Sequence, residues 1–195
     1  MPKLGMEPIR RASLIKATII EIGVAGSLDV TVSQIAKRAG MSSALAHHYF
    51  GGKEQIFLAA MRHTLTVYGA EVREALQQAS SSRGRVEAIV RSSFSKNNFR
   101  QEIVAAWLNF YVLAQKSDEA RRLLVVYQVR LRSNLRHALR PIYGAHSEEL
   151  AERIAALIDG AYLRQSLGLE REDSESVARL IMGCLPGLER VDGHA

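Results

Sequence analysis

The sequence predicts an all-α fold of about nine helices, in which an N-terminal head of three helices precedes a larger helical body. Three observations carry this expectation. Apolar residues recur at helical spacing along nearly the whole chain. The four prolines, Pro2, Pro8, Pro141 and Pro186, all fall near expected helix ends or in the tail. No segment of strand length alternates apolar and polar residues between hairpin turns.

A first helix is expected over Glu7–Ala25, with Ile9, Ala12, Leu14, Ile15, Ile19 and Ile22 as its apolar positions and Gly26 placed to end it. Two short helices follow to Phe50, and a longer one runs from Lys53 toward Ala79. The linker Ser80-Ser81-Ser82 precedes a helix over 84–98, and further helices are expected over 101–116, 118–140, 147–167 and 173–185. Breaks at Lys116-Ser117-Asp118, Pro141–Gly144 and Gly168–Asp173 separate them. This reading divides the chain into a head over 1–52, a regulatory and dimerisation body over 53–187 and a tail over 188–195.

The most informative stretch runs from Thr31 to Phe50. Thr31 and Gln34 are spaced as a capping box, with the hydroxyl on the third amide and the Gln34 side chain reaching back. Val32, Ile35, Ala36 and Ala39 share one face of a two-turn helix, and Gly40 permits the left-handed residue that ends it. Met41 plugs the turn, and Ser42 caps a second short helix to about Tyr49. Two short helices joined by a glycine turn form the helix-turn-helix unit, whose second helix enters the DNA major groove. The small Ala36, Ala39, Ala44 and Ala46 let the pair cross closely; Ser43, Ala44 and His47 are expected outward, Leu45 and His48 inward.

Charge distribution agrees with that reading. Seven basic against three acidic residues give positions 1–53 a net +4 of the chain's +6. A basic head suits a polyanion, although a solubilising surface would look the same. Lys53 opens its helix after Gly51-Gly52, where a cation opposes the positive end of the helix dipole and a bound phosphate would remove the conflict. Thr31, Tyr49, Arg10 and Arg11 are the other expected phosphate contacts, with Lys3 on the preceding arm, and Ser33, Ser43, Ala44 and His47 the expected base readers.

Other classes find little support. A single cysteine, Cys184, rules out an intrachain disulfide and a Cys-rich zinc site. Apolar runs are too short for a bilayer and Met1 begins no signal-peptide pattern, so a cytoplasmic protein, at the nucleoid when on DNA, is expected. His47 and His48 are adjacent and diverge by about 100° on a helix, which suits no shared metal. No nucleophile elbow, phosphate loop or catalytic carboxylate pair is evident, so neither enzymatic activity nor a cofactor is expected.

The pattern Ile35-Ala36, Ala39-Gly40-Met41-Ser42, His48-Tyr49-Phe50 and Lys53 resembles the TetR-type transcriptional regulators. Ala44, Ala46 and His47 depart from the family's frequent Gly, Leu and Tyr, which alters the bases read and leaves the head fold intact. The resemblance implies nine helices, a homodimer on a near-palindromic operator, and a C-terminal pocket whose ligand releases DNA. The strings Met1 to Met6, Ile9-Arg10-Arg11, Ala106-Trp107-Leu108 and Ala156-Leu157-Ile158-Asp159-Gly160 resemble one branch of that family, the choline-responsive repressors of glycine betaine synthesis. A family member answering to another ligand, such as a multidrug efflux regulator, is the alternative.

A choline effector would need aromatic faces and an anion, because a quaternary ammonium forms no hydrogen bonds. Trp107, Phe110 and Tyr111 lie at i, i+3 and i+4 on one helix, and Tyr127 and Tyr162 on later ones. Asp159 sits in an apolar run, where an unpaired carboxylate is costly. A cage of Trp107, Tyr111 and Tyr162 with Asp159 as counter-charge is one reading; the other makes Trp107 and Phe110 core and Asp159 a structural partner. For the last two helices, Leu150, Ile154, Leu157, Ile158 and Ala161, with Val177, Leu180, Ile181 and Cys184, form stripes that suit a four-helix dimer interface or the chain's own core. The helix from Lys53 is expected to couple ligand and DNA.

Overall fold

A computed structural model describes residues 5–168 and 173–186. In chain order it contains α1 (Met6–Ala25), α2 (Val32–Arg38), α3 (Ser43–Phe50), α4 (Lys53–Gln78), α5 (Ser82–Ser93), α6 (Gln101–Ala114), α7 (Asp118–Tyr143), a single 3-10 turn (Gly144–His146), α8 (Ser147–Ser166) and α9 (Ser174–Gly183). No strand occurs among the described residues. Lys3 and the tail over 188–195, with most of the break before Asp173, lie outside the described residues.

The chain divides into two compact units, one of residues 1–66 and 101–123, the other of 67–100 and 124–195. The expected boundary at 52/53 therefore differs from the compact grouping, which divides inside α4 and adds α6 and the start of α7 to the head helices. Packing explains the addition. An ideal Cβ placed on Gly23 of α1 would lie 2.6 Å from the Cα of Glu102 in α6, so the two backbones meet with no side chain between them. The Asn109 side chain donates to the Gly26 carbonyl (3.3 Å), which ties α6 to the end of α1. Leu14, Ile22, Ile35, Ala46, Ile56, Leu58 and Phe110 form the core of this unit, each at most 2% exposed. Ile9 and Ala12, expected among the apolar positions of α1, are exposed; Ala17 and Thr18 are buried instead, the Thr18 hydroxyl donating to the Leu14 carbonyl (2.8 Å).

In the second unit α5 and α8 both pack on α9, around Val86, Ile89, Ile154, Ile158 and Ile181. α5 begins and ends earlier than the expected 84–98. Ser81 caps it by accepting from the Gly84 amide (3.0 Å), which places Arg83-Gly84 inside the first turn. Beyond Ser93 the Glu71 carboxylate captures the chain, accepting from the Ser95 hydroxyl (2.8 Å) and the amides of Asn97 (2.7 Å) and Asn98 (2.6 Å). The break expected from Pro141 falls at Gly144 (φ 54°), because the proline forfeits one helical hydrogen bond and α7 closes two more residues before turning.

Asn98 is 2% exposed, and its side-chain amide also donates to the Ser92 carbonyl (2.9 Å). Replacing it by alanine leaves buried acceptors unmet, so Asn98→Ala is expected to cost about 1–3 kcal/mol of unfolding free energy in urea titrations. A change inside the error of the measurement would mean that water substitutes for the amide.

Candidate nucleic-acid interface

The helix-turn-helix is built by local hydrogen bonds that the side chains of 31–42 dictate. The Thr31 amide donates to Gln34 Oε1 (2.7 Å) while the Gln34 amide donates to the Thr31 hydroxyl (3.2 Å), which completes the capping box. Such a cap contributes about 1 kcal/mol. At the other end Gly40 adopts φ 69°, so its amide reaches the Lys37 carbonyl (3.1 Å) and the Met41 amide the Ala36 carbonyl (2.9 Å). Ser42 then opens α3 by accepting from the Leu45 amide (3.2 Å). The turn is thus closed at both ends.

α3 seats itself on Ala46, which is fully buried, with Leu45, Tyr49 and Phe50 half-buried at its flanks. His48, expected inward with Leu45, is exposed. It stands two residues from Ala46, about 200° around the helix, and so falls on the far side. Of the small residues expected to let the helices cross, Ala36 and Ala46 are buried, Ala39 is half-buried and Ala44 is exposed. Among the expected base readers, Ser33, Ala44 and His47 are exposed and Ser43 half-buried. The Ser43 hydroxyl donates to that of Ser33 (3.0 Å), which joins α2 and α3 on this face. His47 Nδ1 lies 3.3 Å from the Gly51 carbonyl. A carbonyl can only accept, so Nδ1 carries the proton and the neutral ring offers Nε2 as an acceptor.

The phosphate candidates gather in part. Arg10 donates to the Tyr49 hydroxyl oxygen (3.5 Å), leaving the phenolic O–H to donate outward. The Arg11 guanidinium lies 4.8 Å from the Phe50 ring centroid and 5.7 Å from that of Tyr49, and pairs with Glu7 at 3.0 Å. Exposed contacts of this type contribute about 0.5–1 kcal/mol each, enough to orient a side chain. The Arg10–Tyr49 pairing joins residues 39 apart and had no signal in the sequence. Lys53 is exposed at the first turn of α4, its ammonium 5.6 Å from the Phe57 centroid, and Thr31 is exposed at its cap.

The candidate effector residues lie in both units. On α6, Trp107 and Phe110 are buried and Tyr111 half-buried; the Trp107 and Tyr111 rings stand 6.2 Å apart at 34°, with Phe110 edge-on to Trp107 at 6.1 Å and 71°. In the second unit Tyr127 is buried and meets Tyr68 edge-on at 5.7 Å. Tyr68 lies on α4, where no motif in the sequence sets it apart. Burial around its hydroxyl pushes the Tyr68 phenol up to about 12, against a smaller opposing effect of the Ser93 hydroxyl, so this group stays neutral at physiological pH. Asp159 is half-buried and accepts from the Gln128 amide (3.2 Å). The Tyr162 hydroxyl is shared between the carbonyls of Ser93 (2.6 Å) and Asn98 (3.1 Å), and its ring packs against both Phe94 and Phe99, which also meet each other edge-on at 5.0 Å.

The stripes of the last two helices divide. Leu150, Ile154, Ile158, Val177 and Ile181 are buried within the chain, whereas Leu157, Leu180 and Cys184 are exposed and Ala161 is half-buried. Phe99, Leu157, Gly160, Ala161 and Leu180 line an apolar groove of about 250 Å³. Among the described residues no helix is long and apolar enough to cross a membrane, and no group of three His, Cys, Asp or Glu side chains is placed to hold a metal ion.

Comparison with known proteins adds to this geometry. Residues 14–60 match the family described as bacterial regulatory proteins, tetR family, and residues 82–188 the family described as BetI-type transcriptional repressor, C-terminal. A Brucella melitensis protein named HTH-type transcriptional regulator BetI is 50% identical over 93% of this chain and 92% of its own. One of the same name from Rhizobium meliloti is 52% identical over 86% of this chain and 83% of its own. Among solved structures, a transcriptional regulator from Pseudomonas aeruginosa PAO1 superposes with a TM-score of 0.78 at 23% identity, over 93% of this chain and 90% of that one. A Saccharomonospora viridis regulator solved in complex with choline gives 0.75 at 20% identity, over 88% and 92%. At these identities the two structures bear on the fold alone.

Removing a phosphate contact weakens binding whatever the base sequence. Lys53→Ala is therefore expected to lower affinity about equally for specific and unrelated duplexes, and to reduce the slope of log affinity against log salt by about 1. Gel shifts across a salt series measure both, and unchanged binding would remove Lys53 from the phosphate contacts.

Proposed function

The chain belongs to the tetR family of bacterial regulatory proteins and carries a BetI-type repressor domain, and from that membership we propose that it represses genes for choline uptake and oxidation to glycine betaine, with choline as the ligand that lifts repression. It is a DNA-binding transcriptional repressor and not an enzyme. The single observation that carries the choline reading is the 50% identity, over 93% of the chain, to regulators named BetI.

The geometry supports each part of the reading. An exposed α3 with closed caps on either side suits a rigid recognition helix, with Ser33, Ser43, Ala44 and His47 toward the bases. Tyr49, oriented by Arg10, would donate to a phosphate, and Arg11, Lys53 and Thr31 would hold the backbone on either side. Two such helices, one per protomer, would enter successive major grooves of a near-palindromic operator and exclude polymerase. The protein would act in the cytoplasm, at the nucleoid when bound.

For the effector, Trp107 and Tyr111 supply ring faces to a cation that accepts no hydrogen bond, and Phe110 backs them. In the second unit, Asp159 accepts from Gln128, Tyr127 meets Tyr68 edge-on, and the Tyr162 hydroxyl is already shared between two carbonyls. For the dimer, the leucines that α8 and α9 leave outside the core, Leu157 and Leu180, border a groove of their own chain, as a two-fold contact requires.

Choline is expected to raise the melting temperature and to change the emission of Trp107, the only tryptophan. At a hundredfold excess over its Kd the stabilisation would be about 2.7 kcal/mol. No response to choline, betaine aldehyde or glycine betaine would replace choline by another effector and leave the DNA reading intact. Leu180→Glu places a charge on the proposed interface, and sedimentation is expected to show a folded monomer; a dimer of unchanged affinity would move the interface elsewhere.

A further inference from the structure

The imidazole of His47 is held in a clasp at the end of α3. The Gly51 amide donates to the His47 carbonyl (2.7 Å), and the side chain returns the contact, with Nδ1 3.3 Å from the Gly51 carbonyl. Gly51 brings that carbonyl within reach by taking φ 80° and ψ −43°, a backbone conformation that only glycine enters at little cost. A free neutral imidazole can carry its proton on either nitrogen, and so can meet a donor or an acceptor. The clasped ring has no such choice. The Gly51 carbonyl only accepts, so the proton stays on Nδ1, and Nε2 keeps a lone pair and no proton. His47 and Ala44, three residues apart on one side of α3, are both exposed. One turn earlier the polarity reverses: the Ser33 hydroxyl accepts from Ser43 (3.0 Å) and keeps its own proton to donate.

The major groove sorts bases sharply for a group that can only accept. Its only donors are the amino groups, N6 of adenine and N4 of cytosine, whereas guanine O6 and N7, adenine N7 and thymine O4 all accept. We propose that His47 reads an adenine or cytosine amino group in the operator and selects against guanine, with Gly51 as the positioning residue that fixes the tautomer. Guanine at the contacted position sets O6 and N7 against the Nε2 lone pair, and two facing acceptors lose their water without gaining a partner. This inference rests on the reading of His47 as a base reader of α3. It adds the chemical group that is read, which the helix-turn-helix motif leaves open because a histidine in either tautomer fits the same helix.

The experiment uses the full-length protein and a duplex from its own upstream region that the wild type shifts on a gel. Buffer of about pH 8 keeps conditions above the usual range of imidazole titration. Each base pair of the protected stretch is replaced in turn, and the positions at which His47→Ala loses a preference of the wild type are those that His47 reads. There the wild type is expected to require adenine or cytosine. Purine in place of adenine, or pyrimidinone in place of cytosine, deletes the amino group alone. Either should weaken the wild type about fivefold, the worth of one hydrogen bond, and leave His47→Ala unchanged. His47→Lys, which can only donate, should turn the preference to guanine. Nitrogen NMR spectra of the free protein should show the His47 signal, assigned by its loss in His47→Ala, with the proton on Nδ1. Gly51→Ala should return the ring to a mixture of tautomers and lessen the penalty for guanine; if it does not fold, the wild-type spectra and the amino-group deletions decide. A wild type that prefers guanine at that position, ignores loss of the amino group or carries the proton on Nε2 would overturn the inference and leave His47 a base reader. An unchanged tautomer in a folded Gly51→Ala would overturn the role of Gly51. If His47→Ala alters no preference at any position, the base-reading role falls and the inference with it.

Discussion

The first compact unit depends on a contact from which side chains are missing. Gly23 lets α1 approach α6 until backbone meets backbone, and any larger residue would collide with the Cα of Glu102. That approach brings the Asn109 amide within reach of the last carbonyl of α1 and leaves Leu14, Ile22 and Phe110 almost wholly buried. The helix-turn-helix rests on the same α1: Glu21 pairs with Arg38 at the end of α2, and Arg10 and Arg11 meet Tyr49 and Phe50 at the end of α3. One helix therefore carries the recognition element on one side and meets α6 on the other. The compact grouping follows this contact and not the order of the chain.

What was legible in the sequence was what short-range chemistry decides. Thr31 and Gln34 are three residues apart and close on each other; Gly40 alone among its neighbours takes a left-handed φ without strain; Ser42 caps the helix it precedes. Faces were harder to read, because a short helix has several plausible apolar sides until its partner is known. Ala46 and not His48 points inward since α2 offers α3 only a narrow seat, and Ile9 and Ala12 stay outside because α1 turns Ala17 and Thr18 to the core. The end of α5 is set by Glu71, more than twenty residues upstream, so no local pattern around 94–98 could have announced it.

The same division runs through the site. The residues proposed to face DNA follow from the motif, because a helix-turn-helix fixes which turn of which helix is outermost. The proposed effector residues do not, because aromatic residues at helical spacing look alike whether they hold a ligand or fill a core. Tyr162 illustrates the difficulty. Its hydroxyl is shared between the Ser93 and Asn98 carbonyls and its ring joins Phe94 and Phe99 in a three-ring cluster, a setting that holds the segment between α5 and α6 in place. Tyr68, by contrast, belongs to no motif in the sequence and stands edge-on to Tyr127.

The apolar surface of α8 and α9 exceeds what the chain can bury by itself, and that excess has a direction. Ile154, Ile158, Val177 and Ile181 close the second unit, yet Leu157, Leu163 and Leu180 remain 38–61% exposed on the same pair of helices. An amphipathic surface helix carries an apolar arc of about 100°, and a wider arc points to a second apolar neighbour. Scattered exposed leucines need no explanation, but leucines beside a groove floored by Gly160 and Ala161 present a ridge and a furrow on one face. In the proposed dimer a two-fold axis through such a face would set the ridge of each copy in the furrow of the other, with one patch serving both.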